Sequence, residues 1–238
     1  MGKLLAALLA AGKLGKLLTT GGTMLLSMLV YSWVYGWPYA VGFVLLIFVH
    51  EMGHYVAARQ RGLPVGAPTF IPFVGAWIAM KEMPRDVETE AYVGFAGPLA
   101  GSAAAMACYF LARQADDHNG SQLLLALAYA GCMLNLFNLI PVSPLDGGRI
   151  TAIISPKVWL LGVPLLAGLF FYRPSPMLIM IALLAYPQLK AAIRGSPDAP
   201  AGYYTASAEA RINYAVMYLG LAAFLAIMSY EIHGMIGQ

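Results

Sequence analysis

The sequence predicts an all-α polytopic membrane protein of about six to seven transmembrane helices, with a short re-entrant β-hairpin after the second. Three observations carry that prediction. Of the 238 residues, 60% are hydrophobic and only 11% charged, where a soluble domain carries about 25% charged residues. Seven apolar segments recur, near residues 21–36, 38–58, 91–112, 122–141, 157–172, 175–190 and 212–232, against the roughly 20 residues that a helical span needs. The basic residues fall on one side. Threading the N-terminus and the end of the second span into the cytoplasm leaves only Arg113 and Arg173 of the 14 Lys and Arg residues outside, as the positive-inside rule requires. An integral, multi-pass protein of the cell membrane is expected. A net charge of +3, scattered along the chain, argues against a nucleic-acid partner; the lipid bilayer is the first partner.

Residues 1–20 open with "MGKLLAALLAAGKLGKLL". Lys13 and Lys16 interrupt the apolar run and no small-residue cleavage site follows, so a basic interfacial segment is expected rather than a cleaved signal. Residues 21–150 form the central transmembrane core, and residues 151–238 supply the C-terminal transmembrane helices. The first, fifth and sixth apolar segments are short for a full span. Between the second and third lies a predicted hairpin, residues 64–80. Pro64, Gly66, Pro68, Pro72 and Gly75 forbid a continuous helix there, and Phe70 to Met80 alternate in apolar character. The stretch is too apolar for a cytoplasmic loop, and non-helical backbone survives at membrane depth only against protein or a wet cavity. Cys108 and Cys132 sit in apolar runs and read as small core residues.

The second segment carries "LLIFVHEMGHYVAAR", residues 45–59. An ionisable side chain at the centre of a membrane helix costs roughly 2.5–3.5 kcal/mol, so His50, Glu51 and His54 need a function. His50 and His54 are four residues apart, on one helix face, where both imidazoles reach one metal ion. Glu51 projects beside that ion as a candidate general base. The pattern asks for one zinc per chain and a third ligand. Asp146, in "NLIPVSPLDGG", is the strongest candidate: Pro141 and Pro144 end a helix just before it, and Gly147 and Gly148 permit close approach. Asp-Gly is also a common turn pair, so an ordinary cytoplasmic turn stays open on spacing alone.

"VHEMGH" in one span with "NLIPVSPLDGG" about ninety residues later resembles the site-2 protease family of intramembrane zinc metalloproteases, over residues 38–150. The resemblance implies that His50, His54 and Asp146 bind zinc and that Glu51 is the catalytic base. It also implies that Asn138 helps hold the substrate or the developing oxyanion. The implied function is regulated cleavage of transmembrane protein substrates, at a site near the cytoplasmic side. "GFAGPLAGS" also resembles a family feature; Gly94, Gly97 and Gly101 give a small-residue face for close helix packing. One departure is Ser143, with Pro144 following, where the family often has proline. No PDZ or CBS domain is recognisable, so a membrane-borne regulatory partner is expected. Two competing readings exist. In the other membrane HExxH family a later glutamate is the third ligand, and Glu209 is the candidate. A non-proteolytic metal-binding protein, a transporter or inactive scaffold, would be expected to spread ionisable residues along a path or to lack Glu51.

Overall fold

A computed structural model describes residues 2–73, 75–77, 82–194 and 200–236, with side chains from Thr19 onward. In chain order the elements are α1 (Gly2–Tyr35), α2 (Trp37–Gln60), β1 (Thr69–Ile71), β2 (Gly75–Trp77), α3 (Val87–Ala112) and α4 (His118–Asn138). There follow a short α5 (Asp146–Thr151), a 3₁₀ turn (Pro156–Leu161) leading into α6 (Gly162–Tyr172), α7 (Pro176–Arg194) and α8 (Ala208–Met235). Among the described residues five helices, α2, α3, α4, α7 and α8, are long and apolar enough to cross a membrane.

Two of the seven apolar segments take other forms. The 157–172 segment divides between the 3₁₀ turn and the 11-residue α6, because Pro156 and Pro164 interrupt the backbone ladder. The 21–36 segment is the second half of α1, which runs unbroken through the Gly21–Gly22 pair from Gly2.

Local chemistry sets the helix starts. Pro38 occupies the first turn of α2, where no N–H partner is needed. Asp86 caps α3 by accepting from the Thr89 amide at 2.7 Å, and Asp117 caps α4 by accepting from Gly120 at 2.6 Å. Ser207 caps α8 in the same way.

The centre of the bundle is α2, α3 and α4, drawn together by small residues. A Cβ at Gly53 of α2 would collide with the Ala96 carbonyl of α3, and one at Gly131 of α4 would meet the Ala105 methyl at 2.8 Å. α8 closes the far side of α3 and α4 with Tyr214, Leu225 and Ile232 buried. Cys132 lies in this core and Cys108 packs against it, both as free thiols. α1 leans on α2 through Met28 and Tyr31, against Ala40, Val44 and Ile47. Trp33 and Phe171 are each 84% exposed; aromatic faces left this bare are at home in lipid, not water.

β1 and β2 pair antiparallel, with Phe70 opposite Ala76. Phe73 (φ 62°) and Gly75 (φ 117°) take the left-handed backbone of the turn between them. α1 is laced to this hairpin. Thr20 Oγ1 donates to the Pro68 carbonyl at 2.7 Å, the Phe70 amide donates to Thr23 Oγ1 at 3.2 Å, and the Phe73 amide donates to the Tyr31 hydroxyl at 3.0 Å. Of the predicted 64–80 hairpin, Val74 and residues 78–80 lie outside the described residues.

Candidate metal centre

His50 and His54 lie one turn apart on α2, both buried. Asp146 is the first residue of α5. The chain reaches it by folding back on the end of α4, where a Cβ at Gly147 would strike the Leu139 and Ile140 carbonyls. One at Gly148 would stand 2.6 Å from the Val142 and Ser143 backbone. Only glycine permits that approach, which turns the buried carboxylate toward α2.

The three side chains meet. Asp146 Oδ2 is 3.1 Å from His50 Nε2, and Asp146 Oδ1 is 3.1 Å from His54 Nε2. The two Nε2 atoms are themselves 3.1 Å apart. Their opposite ring nitrogens are engaged elsewhere. His54 Nδ1 donates to the Val93 carbonyl of α3 at 2.7 Å. His50 Nδ1 lies 2.8 Å from Asn135 Oδ1; the Asn135 amide nitrogen donates to the Gly131 carbonyl at 2.7 Å, which leaves its oxygen to accept from the ring. Each imidazole therefore carries its proton on Nδ1 and presents an Nε2 lone pair inward. Acceptors then face one another, and protonating both Nε2 atoms would instead set two imidazolium groups 3.1 Å apart. A divalent cation satisfies all three groups. Zinc bound at about 2.0–2.1 Å in a tetrahedral set spaces its ligand atoms by about 3.3 Å, close to the separations here. Two imidazole nitrogens, each steadied from behind, and a carboxylate make a donor set that fits zinc and leaves room for a fourth ligand.

α3 makes this packing possible. A Cβ at Gly97 would fall inside the His54 ring, and one at Gly101 would fall on the Asn135 amide. Pro98 supplies no N–H to the Gly94 carbonyl, beside the Val93 carbonyl that accepts from His54.

A family model described as peptidase family M50 matches residues 38–116, which hold both histidines, Glu51 and the glycines of α3. That stretch of the chain is similar to peptidase family M50. A zinc metalloprotease of Methanocaldococcus jannaschii is 36% identical over 124 residues, covering 50% of this chain and 36% of that protein. Rip3 of Mycobacterium tuberculosis is 30% identical over 125 residues, 51% of this chain and 32% of its own length. EGY1 of Arabidopsis thaliana is 29% identical over 155 residues, 47% of this chain and 28% of its own. Both carry zinc-metalloprotease names. The match thus spans about a third of these curated relatives. The solved site-2 protease from M. jannaschii superposes with a TM-score of 0.48 and 23% identity, over 74% of this chain and 89% of that one.

A cavity of about 700 Å³ opens beside the three ligand candidates. Glu51 lines it and is 7% exposed. Asn138, the last residue of α4, lines it half-buried. Phe73, Gly75 and Ala76 of the hairpin line the same space, as do Met133, Met177 and Met180. Glu209, the alternative third ligand, is exposed in the first turn of α8 and away from the cavity lining. Asn135, the Val93 carbonyl and Arg149, which also lines the cavity, were not singled out as site groups from sequence. The signal for Asn135 was available: an amide within an apolar span needs a partner.

Proposed function

We propose that this chain is an intramembrane zinc metalloendopeptidase that cleaves peptide bonds within or beside membrane-spanning segments. The observation that carries the reading is the convergence of the buried His50, His54 and Asp146 on a cavity that Glu51 and the hairpin residues Phe73, Gly75 and Ala76 also line. A zinc ion held by those three residues supplies Lewis-acid activation of water and of a peptide carbonyl. Glu51, beside His50 in the chain, takes the proton of the attacking water and returns it to the leaving amine. Asn138 donates its amide N–H to the developing oxyanion. Asn135 and the Val93 carbonyl hold the imidazoles in the one tautomer that can ligate.

A helical substrate hides its carbonyls in its own hydrogen bonds and unwinds before it reacts. The hairpin accepts the unwound stretch as an added strand. The charge threading puts the Arg59 end of α2 in the cytoplasm and the site near that side, in a plasma-membrane protein. A membrane-borne partner governs substrate access. Ionisable residues clustered at one point, with Glu51 retained, weigh against a transporter or an inactive scaffold.

The test is co-expression with a panel of single-span membrane proteins, followed by metal analysis of the purified chain. Wild type is expected to cleave at least one and to hold about one zinc per chain. Glu51→Gln abolishes cleavage and keeps the zinc, whereas Asp146→Ala loses both. A Glu51→Gln protein that cleaves at the wild-type rate, or wild type with no bound metal under chelator-free conditions, refutes the reading.

A further inference from the structure

Arg149 is a cation in a cavity otherwise lined largely by apolar side chains and the ligand cluster. It stands one turn after Asp146 on α5. α5 lies so close to α3 that a Cβ at Gly94 would be 3.1 Å from the Arg149 Cβ, so the side chain starts against the surface of α3. Glu90 is one turn before Gly94, on the same face of α3. Arg149 and Glu51 line one cavity, and the Arg149 charge acts on both Glu51 and Glu90.

Glu90 in turn is held from outside the membrane helices. Its Oε2 accepts from the Tyr203 hydroxyl at 2.8 Å, and the Tyr203 carbonyl accepts from the Val87 amide at 3.1 Å. Burial and the neighbouring Glu90 charge push the Tyr203 phenol far above its ordinary range, so it stays a donor. The loop that carries Tyr203 is itself clamped. Arg211 donates to the carbonyls of Ile154 at 2.6 Å, Tyr204 at 2.9 Å and Ala206 at 3.3 Å, and Tyr204 meets the Trp159 ring edge-on at 6.2 Å. Trp159 donates to the Gly148 carbonyl at 2.8 Å, next to Arg149.

We propose that Arg149 is a positioning residue for Glu51, set in place by Glu90, and that Tyr203 ties this pair to the loop before α8. The inference rests on the protease reading above. Glu51 stands on α2 beside the ligand candidates His50 and His54, and Arg149 is the cation that lines the same cavity. Its charge orients the Glu51 carboxylate, and Glu90 keeps the guanidinium from collapsing onto the carboxylate at the ligand cluster. Losing Arg149 leaves two carboxylates without their shared cation in a poorly solvated space.

The experiment is steady-state kinetics of the full chain in detergent on a cleaved member of the substrate panel, with zinc content measured on each sample. Arg149→Met is expected to lower kcat about a hundredfold, the loss typical of a reacting group displaced by about 1 Å, with zinc content and KM unchanged. Arg149→Lys recovers part of the loss. Glu90→Gln and Tyr203→Phe each lower kcat in the wild-type background and add nothing to Arg149→Met, because all three act through one guanidinium. Wild-type kcat in Arg149→Met overturns the proposal, as do losses from Glu90→Gln and Arg149→Met that simply multiply. Loss of zinc from Arg149→Met would make the residue a support of the fold and overturns it too. Wild type that binds zinc but cleaves nothing sinks the protease reading, and the inference with it.

Discussion

Gly97 is the position where one methyl group tests the metal centre most directly. In Gly97→Ala the new Cβ would stand 2.7 Å from Cδ2 of His54, and closer still to Nε2 and Cε1. Ordinary contact begins at 3.4 Å, so the ring must retreat by about 0.7 Å or more from α3. It cannot simply swing away, because Nδ1 is tied to the Val93 carbonyl on α3 at 2.7 Å. The imidazole either breaks that bond or carries Nε2 out of the cluster with Asp146 and His50. Zinc sites tolerate ligand displacements of about 0.2 Å. Disturbing the support of a single ligating histidine already lowers metal affinity by about 10–100-fold. Gly97→Ala is therefore expected to weaken zinc by about 100-fold or more, read by competition with a chelating dye on purified protein, and to lose cleavage in step. Gly220→Ala is the control, since a Cβ there meets nothing within 4 Å. Wild-type zinc affinity in Gly97→Ala would refute the packing argument and, with it, the place of His54 in the cluster.

Two further outcomes follow from the same geometry. Asn135→Ala removes the acceptor behind His50 and is expected to lower zinc affinity about 10–100-fold, while Asn135→Asp, which keeps an acceptor oxygen, retains most of it. An Asn135→Ala protein with unchanged affinity in the chelator competition would mean that the amide only packs α4 against α3. For orientation, cysteines introduced near Asp117 are expected to react with an impermeant thiol reagent on intact cells, and those near Arg61 or Ser207 to stay unlabelled until the membrane is opened. The reverse pattern would invert the charge threading.

The sequence carried the parts of this site that depend on one helix alone. His50 and His54 share a face because the helix period puts them there, and no fold is needed to see it. Asp146 was different. Its carboxylate reaches α2 only because Gly147 and Gly148 let α5 fold back over the end of α4, and a turn would have used the same residues. Asn135, Val93 and Gly97 were harder still, since each acts by the rotation of α3 and α4 about their own axes. Those helices are apolar nearly all round, so hydropathy gives no face. "GFAGPLAGS" was legible as a packing surface but not as the bed of His54. The span count shifted where prolines divide the 157–172 segment, and α1 continues through Gly21 and Gly22 because a tertiary partner outweighs two weak helix formers.

The lacing of α1 to the hairpin leaves the small sheet with two unequal rims. The Phe70 amide is spent on Thr23 of α1, so Phe70 points its backbone groups away from β2. Its partner Ala76 must then do the same on the opposite rim. One rim is sealed by a helix, and on the other, among the described residues, Ala76 offers a newcomer its pair of backbone groups. Two neutral hydrogen bonds contribute about 1 kcal/mol each, a preference of about thirty-fold, and they read no side chain. Such a grip is indifferent to what it holds and favours only peptide that has already come undone. Under the proposed protease reading, this rim would leave selectivity largely to the client helix: a stretch that frays easily would be presented to Ala76, and one that does not would be passed over.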